Sequence, residues 1–95
     1  MGSDFKQLAQ QCGSIVRRVL SGEIRTRNEL EALWPNEAEV FDVLDLVRDD
    51  IFEYWVMPPQ SYAGVLETEA EILEAASHDP IETRSRLEQA LDSSG

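Results

Sequence analysis

The apolar residues of this 95-residue chain recur at steps of three and four, and this spacing limits the folds open to it. Over residues 4–21 they form one continuous stripe, the pattern of a helix that buries a single face. The stripe consists of Phe5, Leu8, Ala9, Cys12, Ile15, Val16, Val19 and Leu20. No stretch alternates apolar and polar residues for long enough to predict a strand. The sequence therefore predicts an all-α fold.

Helix boundaries are marked by capping residues. Asp4 is suited to the N-cap of the first helix and Gly22 to the residue just after it. Three further starts have capping-box spacing: Thr26 with Glu29, Asn36 with Glu39, and Asp79 with Glu82, the last with Pro80 at the first helical position. The second of these starts opens the longest predicted helix, which runs to Val56 and is stopped by the prolines at 58 and 59. The longest loop is expected over residues 58–64.

A further stripe over residues 62–76 predicts another helix. With short connections, these helices predict a compact antiparallel bundle of four main helices plus one short helix. The chain is short enough that we expect one domain over residues 1–95. We interpret residues 1–3 as a cloning remnant and expect residues 93–95 to fray.

Charge is distributed unevenly along the chain. Its 19 acids and 8 bases give a formal net charge of −11. Residues 1–27 hold five bases and two acids, whereas residues 28–95 hold three bases and 17 acids, which is +3 against −14. Such a chain is repelled by phosphate backbones and anionic lipid surfaces, so we predict binding to neither nucleic acid nor membranes. The lack of a signal segment and the single cysteine favour the cytoplasm.

Catalytic and metal-binding constellations are missing from the sequence. Cys12 lies on the apolar stripe of the first helix, where a thiol behaves as a small hydrophobe. His78, the only histidine, is expected at the C-terminus of the fourth helix in a capping or surface role. The interval Asp42 to Glu53 has the length of an EF-hand loop, but Val47 stands where that loop needs glycine. We therefore predict no enzyme, no cofactor and no metal.

A stripe of acids marks the longest predicted helix. Its members follow steps of three or four, with Asp50 beside them: Glu39, Asp42, Asp45, Asp49, Asp50 and Glu53. Like charges at this spacing destabilise a helix, and acids near its C-terminus oppose the helix dipole. The stripe therefore indicates a binding surface for a basic partner.

Aromatic residues accompany this stripe. Phe41, Phe52, Tyr54 and Trp55 do not fit on one narrow face of a helix. Either the helix is buried on two sides, or Tyr54 or Trp55 reaches the surface as a binding anchor. The predicted partner-binding residues are the six acids together with Tyr54 and Trp55.

One segment resembles a known family. Arg18-Val19-Leu20-Ser21-Gly22-Glu23-Ile24 followed by Asn28-Glu29-Leu30-Glu31 is similar to the first loop of colicin D-type immunity proteins, which are small, acidic, helical and bacterial. The resemblance covers residues 8–34. It implies an inhibitor that blocks the basic active groove of a nuclease toxin, and it assigns no contact residues in this chain.

Two other hypotheses fit the same sequence. A helical adaptor or homodimeric regulatory protein would use an apolar groove and the aromatic residues instead of the charge. A phage inhibitor that mimics DNA would need only an acidic surface. The salt dependence of binding distinguishes the adaptor from an immunity protein, because binding led by charge weakens as ionic strength rises.

Overall fold

Five α-helices and one 3-10 helix make up the fold in the computed structural model, which describes residues 4–56 and 59–94. They are α1 (Phe5–Leu20), α2 (Arg27–Leu33), the 3-10 helix (Asn36–Val40), α3 (Asp42–Val56), α4 (Pro59–Glu74) and α5 (Pro80–Ser94). The described residues contain no strand, so the prediction of an all-α fold is confirmed. None of the described helices has the length and apolarity needed to cross a membrane.

The capping residues of α1 act as the sequence predicts. The Asp4 side chain accepts a hydrogen bond from the backbone N–H of Lys6 at 3.1 Å. At the other end, Gly22 has φ of +87°, a conformation that costs glycine little. The N–H of Gly22 donates to the carbonyl of Val19, and the N–H of Glu23 donates to that of Arg18. This is a Schellman motif, and it turns the chain sharply towards α2.

The predicted helix start at Asn36 is wrong. The Thr26 side chain caps α2 as expected, but residues 36–40 form a 3-10 helix without a side-chain cap. Phe41 then leaves helical geometry, and α3 begins only at Asp42. The Phe41 ring packs edge-on against Phe5 of α1, with 4.9 Å between ring centroids. The break in the helix coincides with the packing of Phe41 on Phe5, a contact between distant parts of the chain.

Helix α4 begins earlier in the chain than expected. The predicted loop over residues 58–64 is wrong, because Pro59 is the first residue of α4. Proline is well suited to this position, since the first turn of a helix needs no donor from it. Met57 and Pro58 lie outside the described residues, as do residues 1–3 and Gly95.

The core lies mainly between α1 and α4. Every predicted stripe residue of α1 except Leu20 is buried, Cys12 among them. Gly13 marks the closest approach of the two helices: a Cβ built on it would lie 3.2 Å from the carbonyl oxygen of Ala70 and from Leu73 Cβ. Val47 and Ile51 of α3 and Leu87 of α5 complete the core.

The segment after α4 contacts the start of α1. Because α4 ends at Glu74, the prediction that His78 closes this helix is wrong. His78 lies on the surface, where its Nδ1 is 3.1 Å from Oδ1 of Asp4. Asp79 then caps α5 by accepting a hydrogen bond from the N–H of Ile81 at 3.0 Å, which confirms the predicted start.

Candidate partner-binding face

The acidic face is defined here as Glu39, Asp42, Asp45, Asp49, Asp50 and Glu53. Five of these acids lie on α3, but Glu39 lies on the 3-10 helix before it. The prediction of one continuous helical stripe from Glu39 to Glu53 is therefore wrong. The cause is the break at Phe41, which separates Glu39 from the rest of the face.

Arg48 neutralises the middle of the acidic face. Its Nη2 lies 3.1 Å from Oδ1 of Asp45, and its Nη1 lies 3.9 Å from Oε1 of Glu39. The contact with Asp45 has the distance of an ion pair but lacks the alignment of a hydrogen bond. Arg84 of α5 similarly approaches Asp42, with 3.8 Å between Nη1 and Oδ2. Half of the predicted acids thus face a cation of the same chain.

Asp49 and Glu53 are the two acids that remain free for a partner. Both are exposed, and no base among the described residues lies within ion-pair distance of either carboxylate. They border a groove of about 340 Å³ that, among the described residues, Phe52 and Val56 also line. Val56 is 83% exposed. Carboxylates beside an aromatic ring and an aliphatic side chain suit the charged head and the methylene stem of a lysine or arginine.

Arg27 shows that this part of α3 accepts a cation. Its guanidinium carbon lies 4.4 Å from the centroid of the Phe52 ring, a cation–π distance. Nε of Arg27 is also 3.0 Å from Oε1 of Glu31, its neighbour one turn along α2. The groove at Asp49 and Glu53 is therefore adjacent to a cation supplied by α2.

Tyr54 and Trp55 are both half-buried and pack against the core. Trp55 also contacts Phe52, with 6.2 Å between ring centroids. Phe41 and Phe52 are half-buried too. All four aromatics of this region are thus partly buried against the core, and neither Tyr54 nor Trp55 stands fully exposed.

Asp50 points towards α4 and not towards a partner. It is half-buried, and the hydroxyl of Tyr62 donates to its Oδ1 at 3.3 Å. Burial and the nearby Asp50 carboxylate raise the pKa of Tyr62 to about 12, so this hydroxyl remains a donor. Asp50 also neighbours Glu69 of α4 and contributes to raising its pKa.

Glu69 is a residue that the sequence analysis missed. Its side chain is fully buried, and neither carboxyl oxygen meets a protein donor among the described residues. Burial, followed by the hydrogen bond to Asp50, raises its pKa to about 10. Sequence spacing does indicate that Glu69 is buried, because it stands three residues after Leu66 and four before Leu73, on the apolar stripe of α4.

A second cavity, of about 260 Å³, lies at the other end of the acidic face. Glu31, Trp34, Asn36, Glu39 and Arg48 contribute to its walls. Nε1 of Trp34 and Nε of Arg48 are buried without an acceptor among the described residues. Because solvent does not reach either atom, the polar lining that a ligand would meet comes from other atoms of these side chains.

Known proteins supply no assignment for either site. Within the described ranges, no three histidine, cysteine, aspartate or glutamate side chains are grouped so that they could hold a metal ion. No protein-family model, curated protein or solved structure matches the chain.

Proposed function

We propose that this chain is an acidic protein-binding module that takes a basic partner on the C-terminal half of α3. One observation carries the proposal: Asp49 and Glu53 are exposed, have no internal cation among the described residues, and border a groove lined by Phe52 and Val56. Opposite charge speeds association, and burial of the apolar groove residues slows dissociation. The proposed site thus centres on two acids, whereas the acidic face that the sequence predicts contains six.

The partner we propose is the basic active groove of a nuclease toxin, which makes the chain an immunity-type inhibitor. The resemblance of residues 8–34 to colicin D-type immunity proteins supports this class of partner, and the net charge of −11 supports the electrostatics. In this proposal the carboxylates occupy positions that phosphates of the substrate would take. The scaffold would be an antiparallel bundle in the bacterial cytoplasm.

Charge reversal at the groove tests the proposal. Asp49→Lys with Glu53→Lys should weaken binding to a basic nuclease toxin domain by about tenfold or more at low salt. Asp45 is left intact, because its reversal would also disrupt the ion pair with Arg48. Titration calorimetry gives the affinity, and a nuclease assay shows whether inhibition falls in parallel.

The matched control is Glu67→Lys with Glu71→Lys on α4. These acids act electrostatically on Arg17 of α1, so they lie on the side of α4 that faces α1. The change in net charge is the same as in the groove variant. Equal loss of binding in both variants would show that only total charge matters and would remove the groove from the proposal.

An apolar surface favours a second candidate function, the adaptor or homodimer. Val40 and Ile81 are each 78% exposed. Together with Phe41, Val43 and Pro80 they line a groove of about 190 Å³. If the groove binds a second copy, Ile81→Lys should convert a dimer to a monomer in sedimentation experiments. A phage inhibitor that mimics DNA is distinguished by its target, because it would bind a host nuclease or polymerase and not a toxin.

A further inference from the structure

The buried carboxyl of Glu69 lies where α3 and α4 meet. Among the described residues, Glu69 and Thr83 are the polar side chains in the buried class, and Glu69 is the acid of the two. Neither of its oxygens has a protein donor in the part of the chain that the structure describes. An ionised carboxylate in such a position loses its hydration without compensation, which is strongly unfavourable.

A proton on Glu69 removes this conflict. A neutral carboxyl needs an acceptor for its O–H, and Asp50 of α3 is the neighbouring carboxylate that can supply one to Glu69. Asp50 accepts a second hydrogen bond from the Tyr62 hydroxyl at 3.3 Å. The two donors come from α4 and the acceptor from α3, so the proton is part of the contact between these helices.

We propose that the packing of α4 on α3 requires one bound proton, which Glu69 carries and donates to Asp50. The fold then becomes more stable as the pH falls. We call this proton-dependent contact the latch. Ionisation of Glu69 places two carboxylates in contact inside the protein. Their repulsion and the demand of Glu69 for water then separate α4 from α3. The proposal does not depend on the partner proposed above, because it concerns only the packing of the chain on itself.

The direction in which stability changes with pH follows from the pKa of Glu69 in the folded and in the unfolded chain. Burial raises the pKa of Glu69 from 4.5 to about 10 in the fold, whereas the unfolded chain keeps the ordinary value. Between these values the folded chain binds a proton that the unfolded chain lacks. Stability therefore falls as the pH rises through this window and levels off above it.

Apart from Glu53, the other charged groups on the neighbouring helices act elsewhere. On α3, Glu53 acts on the same cluster through Tyr62. On α1, Arg17 interacts with Glu74, Glu71 and Glu67 of α4. Cys12, also on α1, is buried. On α5, Arg84 approaches Asp42 and Glu88, and Arg86 pairs with Glu82. Burial and, after it, the neighbouring Asp50 carboxylate thus determine the protonation state of Glu69.

Urea unfolding over a range of pH tests the latch, with Glu69→Gln compared to the unchanged chain. Glutamine keeps the shape and a donor for Asp50 but cannot ionise. The folding constant of Glu69→Gln relative to that of the unchanged chain should rise about tenfold per pH unit from roughly pH 5 to 9. Glu67→Gln, an exposed change on the same helix, should give no such trend. A ratio that stays constant with pH for Glu69→Gln would overturn the proposal.

A measurement on the unchanged chain covers the case in which Glu69→Gln does not fold. Carboxyl-carbon NMR of the intact protein reports whether Glu69 is neutral at neutral pH. The expected result is a Glu69 signal at the position of a neutral acid, while the exposed glutamates give signals of ionised groups. Titration of Glu69 together with those exposed glutamates would overturn the proposal.

Discussion

Arg17 of α1 holds Glu74 of α4 through two parallel hydrogen bonds, with 3.2 Å from Nε to Oε2 and 3.1 Å from Nη2 to Oε1. This fork geometry is the strongest arrangement open to a guanidinium and a carboxylate. The hydrogen bond to Glu74 raises the pKa of Arg17 above its ordinary value. Solvent screens the pair, because the two side chains are 39% and 43% exposed. The ion pair therefore contributes modestly to stability and mainly fixes how α1 lies on α4.

A double-mutant cycle measures this pair. Arg17→Gln, Glu74→Gln and the double variant should give a small favourable coupling free energy in urea unfolding at low salt. The coupling should shrink at high salt, since the pair is partly exposed. A cycle on Arg86 and Glu82, an exposed pair within α5 at 3.1 Å, is the control and should give less. A coupling of zero would mean that the fork is not maintained in solution.

Alanine substitution at two glycines should change the free energy of unfolding in opposite directions. Gly13→Ala places a methyl group 3.2 Å from the carbonyl oxygen of Ala70 and from Leu73 Cβ, neither of which moves easily. We expect a loss of about 1 kcal/mol or more in the free energy of unfolding. Gly64→Ala in α4 meets nothing within 4 Å and should gain up to about 1 kcal/mol from helix propensity. Urea unfolding of both variants checks this, and a gain at Gly13 would contradict the close packing of α1 on α4.

Iodoacetamide should modify Cys12 only when the protein unfolds. It is buried in the core, and burial raises the pKa of its thiol to about 12, so the reactive thiolate is scarce at neutral pH. We expect iodoacetamide to modify the native chain at a rate that follows global unfolding and to modify the urea-unfolded chain rapidly. Mass spectrometry distinguishes the two. Rapid labelling of the native chain would show that α1 opens locally.

Removing the cation next to the groove should speed association with a basic partner. Arg27→Gln deletes the charge that lies 4.4 Å from the Phe52 ring and leaves the face more negative. The association rate should rise about two- to threefold at low salt, with a stability loss of about 0.5 kcal/mol. Stopped-flow measurements give the rate.

The control for this experiment is Arg86→Gln on α5, which changes net charge equally. A rate increase of the same size in Arg86→Gln would attribute the effect to total charge. No increase in either variant would contradict electrostatic steering to this face.

Local signals were sufficient for much of the fold. Asp4, Thr26 and Asp79 each cap the helix that sequence spacing assigns to them, because their hydrogen bonds reach only two or three residues along the chain. Asn36 has the same capping-box spacing with Glu39 but makes no cap. The chain instead leaves helical geometry at Phe41, whose ring packs on Phe5. A contact between residues so distant in sequence is not encoded in local spacing.

The site was predictable only in outline. Spacing identified the acids of α3, but it did not show that Arg48 contacts Asp45 and Glu39. Nor did it show that Asp50 turns towards Glu69, since that depends on how α4 packs. Asp49 and Glu53 are set apart from the other acids by the absence of such contacts among the described residues, which only the assembled fold reveals.

The pairing of α1 with α4 also has a consequence for how the chain emerges from a ribosome. The bond between Arg17 and Glu74 joins residues 57 positions apart, and the apolar stripe of α1 packs on the same helix. During synthesis most of this stripe stays uncovered until α4 has left the exit tunnel, although Phe41 can cover Phe5 earlier. The nascent chain is therefore most prone to aggregation or to chaperone capture before that point.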